Sequence, residues 1–334
     1  MTATIVLSIG GMLVSALLTV LAIRYAEHRR MLDHPGPRRS HDRPTPRGGG
    51  VAPVLVVLGG GAWLASQDAG ATTSVAMCLC GFAAVAAIGW VDDHRPLSPV
   101  VRLVVHIAAA VAITLGLCAM QQPALSPVAI ALAAFVVVGL VNAWNFMDGI
   151  DALATSQAAV VMAALLAGGW MTAAWQGLCA LALAAIVGFL PFNLPRARIF
   201  LGDIGSGAFG CLVAMFLLRA VCSGGMPWPL AMLPVSAFLI DAGMTLLLRV
   251  VRGKAWWRPH REHLYQWLVR SGNSHGQVAG WYAAWTLSSS ILAIAVARFA
   301  PAVVLPLTLA VLVSGGSLWL GLRSRLWKDA RKRR

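Results

Sequence analysis

Charge is what this chain most lacks. Asp, Glu, Lys and Arg make up 11% of its 334 residues, while 59% are hydrophobic, which excludes a soluble domain of this length. Acids are scarcer than bases, 12 against 26, and the formal net charge is +14. Cysteine is sparse too. The six (Cys78, Cys80, Cys118, Cys179, Cys211 and Cys222) are scattered through apolar sequence with no CxxC pair, so neither disulfides nor zinc is indicated and they read as small membrane-packing residues. No repeat of fixed period occurs, and no low-complexity stretch beyond the basic tail Arg331-Lys332-Arg333-Arg334, so no solenoid or array is expected.

What the chain has instead is apolar runs of about 17–22 residues, the length a helix needs to cross bilayer hydrocarbon. Eleven are present, near 4–26, 50–66, 72–91, 99–118, 125–141, 152–169, 172–190, 204–221, 229–248, 277–297 and 301–321. They are continuous rather than alternating, and a helix satisfies its own backbone in lipid. The expected fold is therefore all-α, a polytopic membrane protein with about 10–11 transmembrane helices in one domain over 1–334. The first run has no Lys or Arg before it and Arg24, Arg29 and Arg30 after it, the pattern of an uncleaved helix with its N-terminus outside. On that orientation 24 of the 26 Lys and Arg fall in or beside cytoplasmic segments, and only Arg219 and Arg298 do not. The asymmetry places the C-terminus in the cytoplasm. It also accounts for the net charge without nucleic acid, because basic residues beside anionic headgroups are expected.

The same topology gathers the titratable groups on one face. Eight acids (Asp33, Asp42, Asp92, Asp93, Asp148, Asp151, Asp203 and Glu262) and seven histidines lie in cytoplasmic segments. The active loops are expected near 27–49, 92–98, 142–151, 191–203 and 249–276. In Asn142-Ala143-Trp144-Asn145-Phe146-Met147-Asp148-Gly149-Ile150-Asp151, two amides and two carboxylates recur every third residue. We read the amides as the end of the fifth helix and the acids as a loop entering the sixth. A hydrophilic turn with an N-cap Asp is the bland reading, but it needs no second amide or second acid. Asp92-Asp93-His94-Arg95 closes the third helix; adjacent carboxylates repel unless a cation such as Mg²⁺ compensates them, or Arg95 and Arg102 neutralise them. Phe200-Leu201-Gly202-Asp203-Ile204-Gly205-Ser206-Gly207 opens the eighth helix, where glycines permit close approach of a ligand and the helix N-terminus favours phosphate; a plain N-cap is the alternative. Arg258-Pro259-His260-Arg261-Glu262-His263 suits an anionic leaving group. The loop from Asp33 through Arg39 and His41 to Gly50 has a similar basic, glycine-rich character. Asp241, inside the ninth helix, is expected either to support the site's residues from behind or to pack between helices, with an arginine such as Arg249 as a partner.

In their order, these five stretches resemble the polyprenyl-phosphate N-acetylaminosugar-1-phosphate transferase family, glycosyltransferase family 4, over nearly the whole chain. Residues 33–49 match its first loop with Arg39 where Lys is usual, and Asp92 and Asp93 match its Asp pair. Residues 142–153 match N-x-x-N-x-x-D-G-x-D-G-L with Ala152 in place of the last Gly, and 200–206 match F-x-G-D-x-G-S. The resemblance implies transfer of HexNAc-1-phosphate from a UDP-N-acetylaminosugar to undecaprenyl phosphate with release of UMP, at the cytoplasmic face of a bacterial plasma membrane. It implies Mg²⁺, or Mn²⁺ in its place, held by Asp203 with Asp93 beside it. Asp92, Asp93, Asp151 and His263 are the implied catalytic residues. Asn142, Asn145, Asp148, His260, Arg261, Arg39 and His41 would bind substrate. Membrane lipid is an expected partner, and a homodimer is plausible by resemblance only. A covalent phospho-aspartate route and a one-step displacement both stay open.

The departures narrow the branch. Where H-x-H-H is usual, this chain has His263-Leu264-Tyr265-Gln266, which argues against the muramoyl-pentapeptide enzymes and towards initiation of O-antigen or a related surface polysaccharide. The same variant leans the donor towards a 6-deoxy HexNAc over GlcNAc. An intramembrane prenyltransferase would carry two D-x-x-x-D motifs, and DDHRP and DGID have the wrong spacing. A lipid-linked sugar transporter would concentrate polar residues at mid-membrane, where only Asp241 and His106 approach.

Overall fold

The computed structural model describes residues 2–34, 43–67, 72–118, 126–255, 258 and 260–332. Among these, the apolar runs fold as helices: α1 (Thr2–His28), α2 (Val51–Gln67), α3 (Thr72–His94), α4 (Pro99–Cys118), α5 (Pro127–Met147), α6 (Leu153–Gly168), α7 (Ala173–Asn193), α8 (Gly202–Cys222), α9 (Ser236–Val251), α10 (Leu264–Arg270), α11 (His275–Phe299) and α12 (Val304–Lys332). Their ends follow local chemistry. Ser126 accepts the Ala129 N–H ahead of Pro127 at the start of α5, and Ser274 and Gln277 form a capping box on α11, so orphan amides are satisfied where each helix begins. The protein is a multi-pass, all-α membrane protein. Eight of the helices are long and apolar enough to cross a bilayer, with α2 and α6 shorter. Large apolar side chains such as Val6, Leu17, Val104, Phe135 and Val313 stand exposed on the outer faces of α1, α4, α5 and α12, a surface that lipid rather than water matches.

Two expectations are corrected here. The ninth apolar run is not one helix. Pro229 and Pro234 interrupt it, giving a short 3₁₀ turn at Trp228–Met232 before α9 starts at Ser236, because proline removes a backbone donor and clashes with the preceding turn. The 249–276 stretch is not all loop, since α10 lies within it.

At the centre is α8, buried along nearly its whole length and packed on α3, α5 and α6. Small residues permit this. A Cβ on Gly210 would stand 2.5 Å from the Leu140 carbonyl oxygen, and one on Gly50 would stand 2.1 Å from the Gly205 Cα, so the backbones meet where larger residues would hold them apart. Two two-residue strands, β1 (Leu32–Asp33) and β2 (Thr45–Pro46), pair antiparallel, Leu32 opposite Pro46. They return the chain from α1 to the N-terminus of α2. There Gly49 N–H donates to the Phe200 carbonyl (2.9 Å) and Gly50 N–H to that of Leu201 (2.9 Å), while Phe200 N–H donates to Pro46 (2.8 Å). The segment 46–50 is thereby bonded to the start of α8, and one end of the bundle becomes a platform of converging chain turns.

Candidate active site

The platform is organised around the first turn of α8. Asp93, at the end of α3, aims its carboxylate at that turn: Oδ1 accepts the Asp203 N–H and Oδ2 the Ile204 N–H, each at 3.1 Å. A carboxylate at a helix N-terminus is favoured by both the free amides and the dipole, and bonds of this charge-assisted kind contribute about 1.5–3 kcal/mol. Gly202 makes the approach feasible. Its φ is +76°, and a Cβ there would stand 2.6 Å from Asp93 Oδ2 and 2.7 Å from Gly48 N. Arg47 of the 46–50 segment donates to the Asp93 carbonyl.

Asp203 sits one residue into α8. Its Oδ1 accepts from Asn145 Nδ2 at 2.5 Å, and the same amide reaches Ser206 Oγ at 3.0 Å. This ties the end of α5 to the start of α8. Asn142, one turn earlier, donates instead to Val138 of its own helix (2.8 Å). As expected, α5 ends at Met147 with Asp148 as its C-cap, and Asp151 lies in the turn before α6. Burial pushes the Asp148 carboxyl well above its usual range, and the carboxylates of Asp203, Asp93 and Asp151 push it further. Four acids from three separated stretches therefore share one electrostatic environment.

Asp92, adjacent to Asp93, is compensated by the protein. Its Oδ2 accepts from Arg102 Nη1 at 2.7 Å and its Oδ1 from Leu97 N–H at 2.6 Å. The two neighbouring carboxylates are thus split between the α4 arginine and the α8 amides. Asp151 is paired with His275 Nδ1 at 3.2 Å, at the start of α11.

The histidine stretch lies against the end of α5. His263 is 2% exposed, its ring stacked on Phe146 and 4.9 Å from that of His260. Burial lowers the pKa of both, that of His260 to about 4, with His263 and Arg249 lowering it further. In its neutral form each imidazole carries one N–H donor and no positive charge. Glu262 is held below the usual carboxylate range: burial would raise it, but Lys254, Arg249 and Arg323 outweigh burial. Arg249 pairs with Glu262 at 2.5 Å, not with Asp241 as expected, because the guanidinium reaches forward from the last turn of α9 to the following loop. Arg261 is part-buried beside these histidines.

The structure thus brings Asp93, Asp148, Asp203 and Asn145 together, sets Asp92 beside them on Arg102 and Asp151 on His275, and places His260 and His263 across the end of α5. Arg39 and His41 lie outside the described residues. Sequence reading missed His275 on Asp151, and Asn193, whose Oδ1 accepts from Ala152 N–H and Thr155 Oγ1, each at 3.0 Å. Nothing distinguishes either residue in the sequence. It also missed Tyr265, whose hydroxyl donates to the Phe146 carbonyl at 3.1 Å.

A divalent cation is the group these acids imply. Among the described residues, no three His, Cys, Asp or Glu side chains are gathered into a ready cage. Asp203 and Asp93 are the carboxylates that could hold Mg²⁺, which keeps several waters and binds through one or two carboxylates plus substrate phosphates. The crowding that raises Asp148 is the kind of uncompensated negative charge such an ion relieves.

Residues 75–221 match the sequence profile of glycosyl transferase family 4. Decaprenyl-phosphate N-acetylglucosaminephosphotransferase of Mycobacterium tuberculosis is 28% identical over 287 residues, covering 73% of this chain and 70% of that protein. A Bacillus subtilis protein named probable undecaprenyl-phosphate N-acetylglucosaminyl 1-phosphate transferase is 28% identical over 282 residues, 78% of this chain and 77% of that one. Phospho-N-acetylmuramoyl-pentapeptide-transferase of Trichormus variabilis is 32% identical over 216 residues, 53% and 56% of the two chains. A multi-pass helical bundle with these acids at one end, set beside these relatives, defines a membrane-embedded phosphoglycosyl transferase. The segment that matches this family, 75–221, carries Asp92, Asp93, Asp148, Asp151 and Asp203.

Proposed function

We propose that the protein transfers HexNAc-1-phosphate from a UDP-N-acetylaminosugar to undecaprenyl phosphate, releasing UMP, at the cytoplasmic face of a bacterial plasma membrane. One observation carries this: carboxylates from α3, the α5–α6 turn and α8 share one electrostatic environment around the start of α8, on the end of the bundle where the basic loops lie. One substrate is water-soluble and the other a long isoprenoid, so the chemistry belongs at a membrane boundary. Two relatives that span about three quarters of this chain carry N-acetylglucosamine in their names, which favours GlcNAc over the 6-deoxy sugars as donor. The departure at Tyr265-Gln266 favours surface-polysaccharide initiation over the muramoyl-pentapeptide reaction, for which a relative of lower coverage is named.

In the displacement, an oxygen of the acceptor phosphate attacks the phosphorus joined to the sugar, and the bond from that phosphorus to the UMP oxygen breaks. UMP leaves with the electron pair, so no proton is needed at the leaving group. A phosphate oxygen is already a competent nucleophile, so positioning and charge neutralisation carry the rate. Asp203, with Asp93 beside it, would hold Mg²⁺, which supplies screening of the phosphate charges. Asn145 fixes the Asp203 carboxylate. Asp92, held by Arg102, would orient the acceptor phosphate, and Asp148 and Asp151 would line the nucleotide site. His260 and His263 would each donate one neutral N–H to the diphosphate. The test is Mg²⁺-dependent UMP release from UDP-GlcNAc, and from a panel of other UDP-HexNAc donors, with undecaprenyl phosphate as acceptor. No release with any donor would overturn the reading.

A further inference from the structure

We infer that Asp241, buried in α9 and apart from the acid cluster, is a positioning residue that sets the His260–His263 loop and, through Tyr265, the Asp148–Asp151 turn. Its carboxylate is 1% exposed and gathers donors from four elements. Oδ1 accepts from Leu264 N–H (2.7 Å), Trp319 Nε1–H (2.9 Å) and Thr245 Oγ1–H (3.3 Å). Oδ2 accepts from Tyr282 O–H (2.7 Å) and Tyr265 N–H (3.2 Å). Two of these donors are the first amides of α10, which has seven residues, too few to be stable as an isolated helix.

Behind Leu264 and Leu268 lies an apolar cavity of about 430 Å³, walled by Trp281, Trp285 and Leu318, with Asp241 in its lining. The carboxylate therefore fixes where α10 begins, and with it the direction of the residues just before. His263 is the N-cap of that helix, its Nδ1 3.9 Å from Asp241 Oδ1. Tyr265 carries the constraint onward. Its backbone is held by Asp241, its hydroxyl donates to Phe146, and a Cβ on Gly149 would stand 2.1 Å from that hydroxyl. Gly149 lies between Asp148 and Asp151, so a shift of α10 displaces both the histidines and the acid turn.

The kinetic arm of the test rests on the proposed transfer reaction; a second arm does not. In Asp241→Asn one oxygen becomes an NH₂ group, and either amide orientation aims it at an α10 amide. In the full chain in lipid nanodiscs, a drop in kcat of roughly 10²-fold is expected, the loss that misplacement by about 1 Å produces. Tyr265→Phe, which removes only the relay hydroxyl, should lower kcat less, and the double variant should lose no more than Asp241→Asn alone. Trp319→Phe removes a bond from the same carboxylate while leaving both α10 amide bonds to it in place, and should keep kcat within a factor of two. Losses that multiply in the double variant, or a Trp319→Phe loss equal to that of Asp241→Asn, would overturn the proposal. Independently of turnover, hydrogen exchange at 146–151 should quicken together with 260–266 in Asp241→Asn, and at 146–151 in Tyr265→Phe. Protection at 146–151 unchanged in both variants would overturn it. Wild-type protein that turns over no donor while showing these exchange changes would count against the reaction, not against Asp241.

Discussion

At the scale of single residues, what separates functional from structural acids is what each carboxylate already bonds. Asp93 faces two α8 amides and Asp92 an arginine, whereas the Asp203 carboxylate accepts from the neutral Asn145 side chain. Asp203→Asn keeps that neighbour satisfied after an amide flip but removes the charge that would hold a cation. We expect UMP release to fall by about 10³-fold while the protein remains folded in the membrane; near-normal turnover would remove Asp203 from the metal role. A second residue tests the backbone. Ala152, where the resemblance expects glycine, stands in the left-handed region at φ +61° with its N–H held by Asn193. A side chain there costs about 1–2 kcal/mol, partly offset by glycine's greater freedom in the unfolded chain. Ala152→Gly should stabilise by about 0.5–1 kcal/mol, read as a small rise in the thermal midpoint; a fall would show that the strain is not there. The sequence marked this position as a departure, but only the backbone angle says which way the substitution acts.

At the scale of elements, the helix ends carrying the site were legible and their wiring was not. Polar residues interrupting apolar runs marked the ends of α3 and α5 and the start of α8, because a bilayer tolerates such residues only where they are satisfied or functional. The short α10 was hidden in a polar loop, since seven residues carry too little periodicity to register, and Asp241 was expected on Arg249 because the two share a helix. Their partners come from residues far along the chain, which no local pattern encodes. The α10 region also supplies a pH dependence. His260 faces His263, Arg249, Glu262 and Arg323, and its pKa is lowered from 6.5 to about 4, first by burial. The unfolded chain takes up this proton at higher pH than the folded one, so the stability from a neutral His260 is present above about pH 6.5 and is lost as pH falls towards 4. The thermal midpoint of wild type relative to His260→Gln should therefore drop across that window. Parallel curves would mean that His260 is not held neutral; the comparison cancels the opposing contribution of acids such as Asp148.

At the scale of the whole molecule, the bundle holds like charges together against their repulsion. Asp148, Asp151, Asp93 and Asp203 are contributed by three stretches of chain, and burial with mutual repulsion raises Asp148. Folding brings these groups into one region, so it gathers negative charge that the extended chain keeps apart. An ion that binds only the assembled site should stabilise the entire fold by mass action, about 2.7 kcal/mol when present at 100 times its Kd. Adding Mg²⁺ to the metal-free protein should raise its thermal midpoint saturably, and Mn²⁺ should do the same. Because Mg²⁺ binds through few protein carboxylates and otherwise through water and phosphate, the rise should grow when UDP-HexNAc is present with the ion, beyond the sum of the two added separately. Asp203→Asn should abolish the Mg²⁺-dependent part and leave stability without the ion unchanged or higher, since one repelling charge is gone. A midpoint indifferent to Mg²⁺ in wild type, with donor present, would mean that these acids meet for some purpose other than holding a cation.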